Sequence, residues 1–326
     1  MSQEAHTSVY ARQPCWEKRL DASEHDEDLI YTDPVHAGLR GPTAEERHTL
    51  RRVPDTLPWS IYLVAVVELA ERFSFYGCNI VFTNFIQRPL PPGSSTGAGG
   101  LHGQAGALGL GQRASTGLTT FYLFWCFATP LFGGYIADTY WGRYKTICFA
   151  LVVAIIGHLL LVIAALPRII ANGNALPVFI IAIIAMGIGT GVFRGNISPL
   201  IAEQYKKSKL FVVVTKNGER VIVDPALTIA RIYMYFYLIM NIGALVGKIS
   251  MAYAEKFVGF WLSFALPTAV YLLCPLVLYA GRNIYTRHPP TGSALASALR
   301  LWRYAARDRW SPNPITTYRN LHAPGF

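Results

Sequence analysis

Hydrophobic residues gather in six long blocks that are separated by shorter polar segments. Each block approaches the ~20 mainly apolar residues that a helix needs to cross the hydrocarbon core of a bilayer. The pattern predicts six transmembrane helices, over about residues 59–86, 116–136, 146–166, 176–200, 228–252 and 257–279. The chain is therefore expected to be an all-α integral membrane protein, with a tail at 1–55, a six-helix bundle at 56–280 and a polar linker or tail at 281–326.

The charged residues orient these helices. Lys and Arg concentrate in the first 55 residues, in every second loop and after Gly281, which is the distribution of cytosolic segments. Residues 1–55 do not resemble a cleavable signal sequence, so both termini are expected in the cytosol and the plasma membrane is the expected location. The net charge of +10 then reflects orientation and attraction to anionic lipid, and no nucleic-acid partner is expected.

Two shorter motifs refine this picture. The stretch "FVVVTKNGERVIV", in the loop after the fourth block, has β-branched runs on either side of Asn217-Gly218, which predicts a small cytosolic β-hairpin. The stretch "LRLWRYAARDRW" combines basic and aromatic residues and predicts a helix on the membrane surface in preference to a nucleic-acid site. The five cysteines have neither a disulfide pattern nor metal-site spacing, so no metal is expected.

The first hydrophobic block carries three charges in the stretch "VELAERFSFYG". Helical spacing puts Glu68, Glu71, Arg72 and Tyr76 on one face. At mid-membrane each charge would cost about 2.5 to 3.5 kcal/mol if unpaired, so these side chains must face a polar interior. A structural ion pair between Glu68 and Arg72 leaves Glu71 unexplained, which favours a functional role in proton binding.

The fourth and fifth blocks add further polar candidates. Arg194 follows the glycines of "MGIGTG", which allow close helix packing, and an interior partner is favoured over snorkelling toward the cytosol. Asn241 lies among aromatic residues and fits either a bond between helices or a ligand contact. Lys248 is seven residues further on and could face the same cavity.

These residues lie in motifs that resemble the proton-coupled oligopeptide transporter family of the major facilitator superfamily, and its fungal branch most closely. The matching segments are "ELAERFSFYG", "GGYIADTYWGRYKTI", "GTGVFRGNISPLIAEQY" and "FYLIMNIG", with the fungal-type flanks "TLRRVPDTLPW" and "NGERVIVDP". They occur in the family's order and cover about residues 42–288.

The resemblance implies roles for individual residues. Proton coupling would involve Glu68, Glu71, Arg72 and Arg194, and the family usually has Lys where Arg194 stands. Substrate binding would involve Arg72, Tyr76, Arg194 and Asn241, whereas Phe75 replaces one of two paired tyrosines. The gating-loop motif would comprise Gly134, Asp138, Gly142, Arg143 and Lys145.

The resemblance also implies that the chain is incomplete as a transporter, because the superfamily places its substrate site between two six-helix halves. The chain is expected to be the N-terminal half of a major facilitator fold. Its expected function is symport of di- and tripeptides with protons by alternating access, with a proton gradient as driving force and no cofactor. The expected partners are the lipid bilayer, small peptides and a missing C-terminal six-helix half.

Other functions remain as alternatives. The chain could be a truncated, non-transporting or regulatory half, or it could carry a non-peptide substrate such as nitrate. A six-helix channel lacks the repeated arginines that it would need in the fourth helix. An enzyme is not expected, because the sequence has no GxSxG, HExxH or paired intramembrane aspartates.

Overall fold

The computed structural model describes residues 30–287, 289–290, 292, 294–306 and 313–321. Residues 1–29 of the predicted tail, which include Cys15, lie outside this part of the chain. The long helices are α2 (Trp59–Gln87), α3 (Gly111–Ile136), α4 (Arg143–Ala164), α6 (Ala175–Glu203), α7 (Pro225–Phe257) and α8 (Phe260–Ala280). The shorter elements are α1 (Ala44–Thr49), β1 (Arg52–Val53), α5 (Pro167–Ala171), β2 (Phe211–Val214), β3 (Arg220–Val223), α9 (Ala294–Ala306) and α10 (Pro314–Leu321).

Five of the described helices are long and apolar enough to cross a membrane. They are α3 with the π-helical turn Ala137–Trp141 that follows it, α4, α6, α7 and α8. The helix α2 has 29 residues, but it carries the charged residues Glu68, Glu71 and Arg72 and is not among these five. The count of six transmembrane helices therefore stays a prediction.

The hydrophobic blocks locate the helices well but not their ends. The sixth block was predicted to begin at residue 257, whereas α7 continues to Phe257 and α8 begins at Phe260. The backbone turns at Gly259, whose φ of 126° is available to glycine and strained for other residues. Hydrophobicity continues across this turn, so the pattern alone could not place the boundary.

The chain divides into two compact units. One contains residues 57–205 and 232–326 and holds most of the long helices. Within it, α4 and α3 pack on α6, while α2 and α4 pack on α8. Glycines permit the closest approaches: a Cβ at Gly189 would lie 2.5 Å from the backbone nitrogen of Ala154, and one at Gly243 would lie 2.7 Å from Leu69 O. The helices of this unit are therefore held at backbone-to-backbone distance.

The other unit contains the described residues 30–56 together with 206–231. Here β2 and β3 form an antiparallel hairpin around Gly218, at the place that Asn217-Gly218 predicted. The strand β1 joins β3 in parallel and makes a three-stranded sheet of order β1-β3-β2. The sequence did not predict this third strand. A hairpin alone is marginally stable, and β1 supplies backbone partners to its second strand.

Polar side chains tie the segments of this unit together. His36 Nε2 accepts hydrogen bonds from the backbone amides of Ser208 and Lys209, so its Nδ1 carries the hydrogen that faces Asp33 at 2.5 Å. Lys209 Nζ binds the other oxygen of Asp33 at 2.8 Å. The hydrogen bond from Lys209, with a smaller contribution from that of His36, lowers the pKa of Asp33 to about 2. Arg51 similarly binds Glu219 and lowers the pKa of that carboxyl.

Candidate functional site

The charges of α2 lie on one face of the helix, as their spacing predicts. Arg72 Nε donates a hydrogen bond of 2.6 Å to Glu68 Oε1, one turn earlier. The same nitrogen is 3.3 Å from Glu71 Oε2. All three side chains are buried, and the exposed fraction of Glu68 is 0%.

The helix α6 supplies the fourth charge. Arg194 Nε donates to Glu71 Oε1 at 3.2 Å, and the Arg194 guanidinium carbon lies 3.7 Å from the centroid of the Phe75 ring. We call Glu68, Glu71, Arg72 and Arg194 the charge cluster. The structure thus gives Arg194 an interior partner, and Glu71 stands between two guanidinium groups on different helices.

The charge cluster balances two carboxylates against two guanidiniums, which offsets the cost of burying them. Its hydrogen bonding is nevertheless incomplete. Among the described residues, Glu68 Oε2, Glu71 Oε2 and Arg194 Nη2 have no hydrogen-bond partner. The charge cluster therefore has capacity for a further proton, a water molecule or a ligand group.

The other predicted substrate contacts lie outside the charge cluster. Tyr76 is partly buried, and Lys248 Nζ of α7 lies 4.9 Å from the centroid of its ring. Asn241 is exposed, and its Nδ2 donates to Tyr237 O of the same helix at 2.8 Å. Gly243, which packs on α2, is two residues away and therefore on nearly the opposite face of α7. Asn241 thus faces away from α2.

The predicted gating-loop motif forms the connection between α3 and α4. The chain leaves the π-helical turn at Gly142, whose φ is 75°. Arg143 Nη1 donates to Glu203 Oε1 of α6 at 2.5 Å, and Arg143 Nη2 lies 3.7 Å from Asp138 Oδ1. Lys145 is exposed, and a Cβ at Gly134 would meet nothing within 4 Å. The structure thus brings Asp138, Arg143 and Glu203 together.

A cavity of about 320 Å³ borders this loop and is lined in part by Arg143, Glu203 and Arg287. The chain that follows α8 contributes to the same region, because Gly292 N donates to Asp138 O at 3.0 Å. The motif loop is therefore joined to the residues after α8 as well as to α6.

Sequence reasoning missed two contacts next to the site. Ser74 Oγ lies 2.7 Å from His158 Nε2, so the imidazole is bonded to α2 two residues after Arg72. The Tyr271 ring of α8 packs beside His158, with centroids 5.0 Å apart. Ser74 is three residues after Glu71, so helical spacing alone places it on nearly the same face of α2. The sequence does not show which helix faces Ser74.

Comparison with known proteins assigns the family. A family model described as the POT family matches residues 144–323, which is more than half of the chain. The chain belongs to the POT family. The motif resemblance is therefore confirmed, and the chain is an integral membrane protein of a transporter family and not an enzyme.

Fungal relatives that are similar to this POT-family chain are named as peptide transporters. Peptide transporter PTR_B of Candidozyma auris is 41% identical over 290 residues, which cover 87% of this chain and 47% of the relative. Peptide transporter PTR2 of Saccharomyces cerevisiae is 36% identical over 280 residues, which cover 86% of this chain and 45% of the relative. The chain thus spans about half the length of these relatives.

Solved structures support the fold. The in meso crystal structure of the POT family transporter PepTSo matches with a TM-score of 0.61 at 21% identity, over 79% of this chain and 44% of that chain. The crystal structure of peptide transporter POT in complex with sulfate matches with a TM-score of 0.57 at 18% identity, over 78% of this chain and 46% of that chain. The helical arrangement is therefore that of part of a POT transporter.

Proposed function

We propose that the POT-family chain forms half of a membrane carrier that moves small peptides together with protons by alternating access. The peptide-transporter names of relatives at 36–41% identity support a peptide substrate over nitrate. Because the chain spans about half of those relatives, the other wall of the substrate cavity would come from a complementary six-helix half. The six helices of this half would include α2, whose charges are buried among protein groups.

The position of Glu71 carries this proposal. Its two oxygens lie 3.3 Å from Arg72 Nε and 3.2 Å from Arg194 Nε, so this one carboxylate connects α2 with α6. A proton on Glu71 would weaken both contacts at once, because a neutral carboxyl attracts a guanidinium far less than an ionised one does. Arg72 and Arg194 would then be available to a peptide carboxylate, and the contact between the two helices would loosen.

The remaining site residues have supporting roles in this mechanism. Glu68 holds Arg72 in place and is the second candidate proton acceptor. Tyr76 and Asn241 would contact the peptide from the side that faces the complementary half. The α3–α4 loop, with Asp138, Arg143 and Glu203, would act as the gate on the cytosolic side. No cofactor is needed, because the proton gradient supplies the driving force.

The proposed arrangement in the membrane follows the charge distribution. Both termini and the β2–β3 hairpin would be cytosolic, and the α2–α3 loop would face the other side. We place the carrier in the plasma membrane, where uptake of peptides from outside would use an inward proton gradient.

Uptake of a labelled dipeptide into proteoliposomes tests the proposal. The liposomes would contain this chain coexpressed with the complementary half of a fungal relative, with an acidic exterior. We expect gradient-driven uptake that is lost in Glu71→Gln and strongly reduced in Glu68→Gln. The matched control is Glu219→Gln, which removes an exposed carboxylate outside the bundle and should leave uptake unchanged.

The same assay tests whether the chain is incomplete. Liposomes that hold this chain alone should show no gradient-driven uptake. Gradient-driven uptake that is equal in wild type, Glu68→Gln and Glu71→Gln would exclude the proton role of the charge cluster.

A further inference from the structure

Glu255 of α7 is a further buried carboxyl group in the bundle, besides Glu68 and Glu71, and the mechanism above does not use it. Only 8% of the residue is exposed. Asn84 Nδ2 of α2 donates a hydrogen bond of 2.7 Å to Glu255 Oε1. Asn84 comes 13 residues after Glu71 along α2, which at 1.5 Å per residue is about 20 Å. Glu255 therefore lies far from the charge cluster, toward the opposite end of the bundle from the α3–α4 loop.

The hydrogen bonding of Glu255 fits the protonated form of the carboxyl. Its second oxygen, Oε2, is buried and has no partner among the described residues. Its one bonded neighbour, Asn84, is a neutral amide, and no ion pair within 4 Å is found for Glu255 in the described part of the chain. An ionised carboxylate in these surroundings would lack the compensating charge that a buried ion requires. A neutral carboxyl requires no such compensation.

The charged groups around Glu255 are few. Arg88 directly follows α2, four residues after Asn84, and is within electrostatic range of Glu255. Its buried Nε has no partner among the described residues. Lys256 follows Glu255 on α7 but is exposed, with Nζ 5.6 Å from the centroid of the Phe257 ring. His102 is exposed in the α2–α3 loop. Arg88 is thus the cation placed to stabilise the ionised form, after a change of its rotamer.

The α2–α3 loop packs on the residues next to Glu255 and Arg88. Gly100 N of the loop donates to Lys256 O at 2.8 Å, and Gly109 N donates to Arg88 O at 2.9 Å. Thr96 Oγ1 donates to Val258 O at 2.9 Å, just beyond the end of α7. Glu255 lies two residues before the end of α7, and 8% of the residue is exposed, so a proton can pass between it and the solvent on the side of this loop.

We propose that Glu255 is a second proton-binding group of the bundle, separate from the charge cluster, which takes up and releases its proton on the side of the α2–α3 loop. In the loaded form, Oε2 carries the proton and Oε1 accepts from Asn84. In the unloaded form, the proton has passed to water and Arg88 pairs with the carboxylate. The proposal extends the proton part of the proposed function, but it concerns binding alone and requires no peptide movement.

Infrared difference spectroscopy of the whole chain in lipid nanodiscs tests this proposal. The C=O stretch of a protonated carboxylic acid occurs at a frequency where neither ionised carboxylates nor side-chain amides absorb. The intensity of this band therefore reports protonation directly. Spectra would be recorded between about pH 4 and about pH 9, a range wide enough for strongly shifted glutamates. We expect Glu255→Gln to lose one titrating component of this band. Gln keeps an oxygen that can accept from Asn84, so the variant should retain the fold.

Three further variants separate Glu255 from the other carboxyls. The component assigned to Glu255 should persist in Glu71→Gln/Arg194→Gln, which keeps the charge cluster neutral, and in the exposed control Glu219→Gln. It should also persist, at a displaced frequency, in Glu255→Asp, which keeps the carboxyl and shortens the side chain. If the band of Glu255→Gln titrates with the wild-type amplitude, Glu255 does not exchange a proton and the proposal is wrong. That result would leave the uptake experiment on Glu71 unaffected.

Discussion

At the scale of single residues, the charge cluster is held by short polar contacts whose partners depend on rotamers and on neighbouring helices. Helical spacing was sufficient to place Glu68, Glu71 and Arg72 on one face. It could not show that Arg72 donates to Glu68 while Arg194 donates to Glu71, because that division depends on how α6 approaches α2. The Asn84–Glu255 bond was unpredictable for the same reason, since its partners are 171 residues apart.

Glu71→Gln should destabilise the bundle strongly. The substitution leaves Arg194 buried without an anionic partner, and removal of one partner of a buried pair typically costs about 3 to 5 kcal/mol. Unfolding of the purified chain in mixed micelles, followed by circular dichroism during titration with a denaturing detergent, measures the change.

The control for this prediction is Glu219→Gln. Its carboxylate pairs with Arg51 at the surface, where an ion pair contributes only about 0 to 1 kcal/mol. Adding Arg194→Gln to Glu71→Gln should recover part of the lost stability, because the uncompensated charge is then gone. Equal effects of Glu71→Gln and Glu219→Gln would show that the charge cluster contributes nothing specific to stability.

At the scale of elements, close packing of α2 with α7 rests on glycine. Gly243 and Gly247 occur one turn apart, and a Cβ added at these positions would meet the carbonyl oxygens of Leu69 and Phe73. The sequence predicted the helices themselves from hydrophobicity. The pairing of α2 with α7 could not be predicted, because glycines are also frequent in α3 and α6 and no local pattern identifies their partners.

Gly247→Ala should force α2 and α7 apart. A Cβ at this position would overlap the carbonyl group of Phe73, and a backbone group cannot move aside as a side-chain end can. We expect a lower thermal unfolding midpoint for the purified chain in detergent, measured by the fluorescence of a dye that labels newly exposed thiols. Cys78, one residue beyond Gly77 on α2, is buried and would report the opening.

Gly117→Ala is the matched control. Gly117 is inside α3, and a Cβ there would meet nothing within 4 Å. Alanine is more favourable than glycine in a helix by about 0.5 to 1 kcal/mol, so this variant should be as stable as wild type or more so. A loss of stability in Gly117→Ala as large as that in Gly247→Ala would contradict the packing argument.

At the scale of the whole molecule, the chain contains a helical unit and a smaller sheet-containing unit, and it spans about half of its fungal relatives. Hydrophobic blocks and motif order predicted the helical unit and the family. They do not show which side chains join residues 30–56 to the hairpin in one compact unit. This association rests on long-range polar contacts, such as Lys207 Nζ with Asp55 Oδ2 at 2.8 Å, and on the pairing of β1 with β3.

Acid should loosen the sheet-containing unit. Hydrogen bonds from Lys209 and His36 lower the pKa of Asp33 from 3.8 to about 2. Ionised Asp33 therefore stabilises the fold fully when the pH is above the pKa of this group in the unfolded chain. This contribution is lost as the pH falls from about 4 through about 2. A backbone hydrogen bond from Thr43 lowers the pKa of Glu46, which gives a contribution of the same sign.

Hydrogen exchange of the β2–β3 amides measures this effect, after correction for the intrinsic pH dependence of exchange. Protection in the wild-type chain should decrease across this interval. In Asp33→Asn, protection should be lower at neutral pH and should change less on acidification. An identical acid response in wild type and Asp33→Asn would exclude Asp33 as its source.

The balance of charges in the charge cluster has an electrical consequence. With all four groups ionised, two carboxylates and two guanidiniums sum to zero. A single added proton leaves a charge of +1 within the membrane, where one elementary charge is worth about 2.3 kcal/mol per 100 mV of membrane potential. The protonated charge cluster would thus respond to the membrane potential, whereas the unprotonated cluster would not. An inside-negative potential would therefore favour reorientation of the bundle toward the cytosol only when the charge cluster carries a proton.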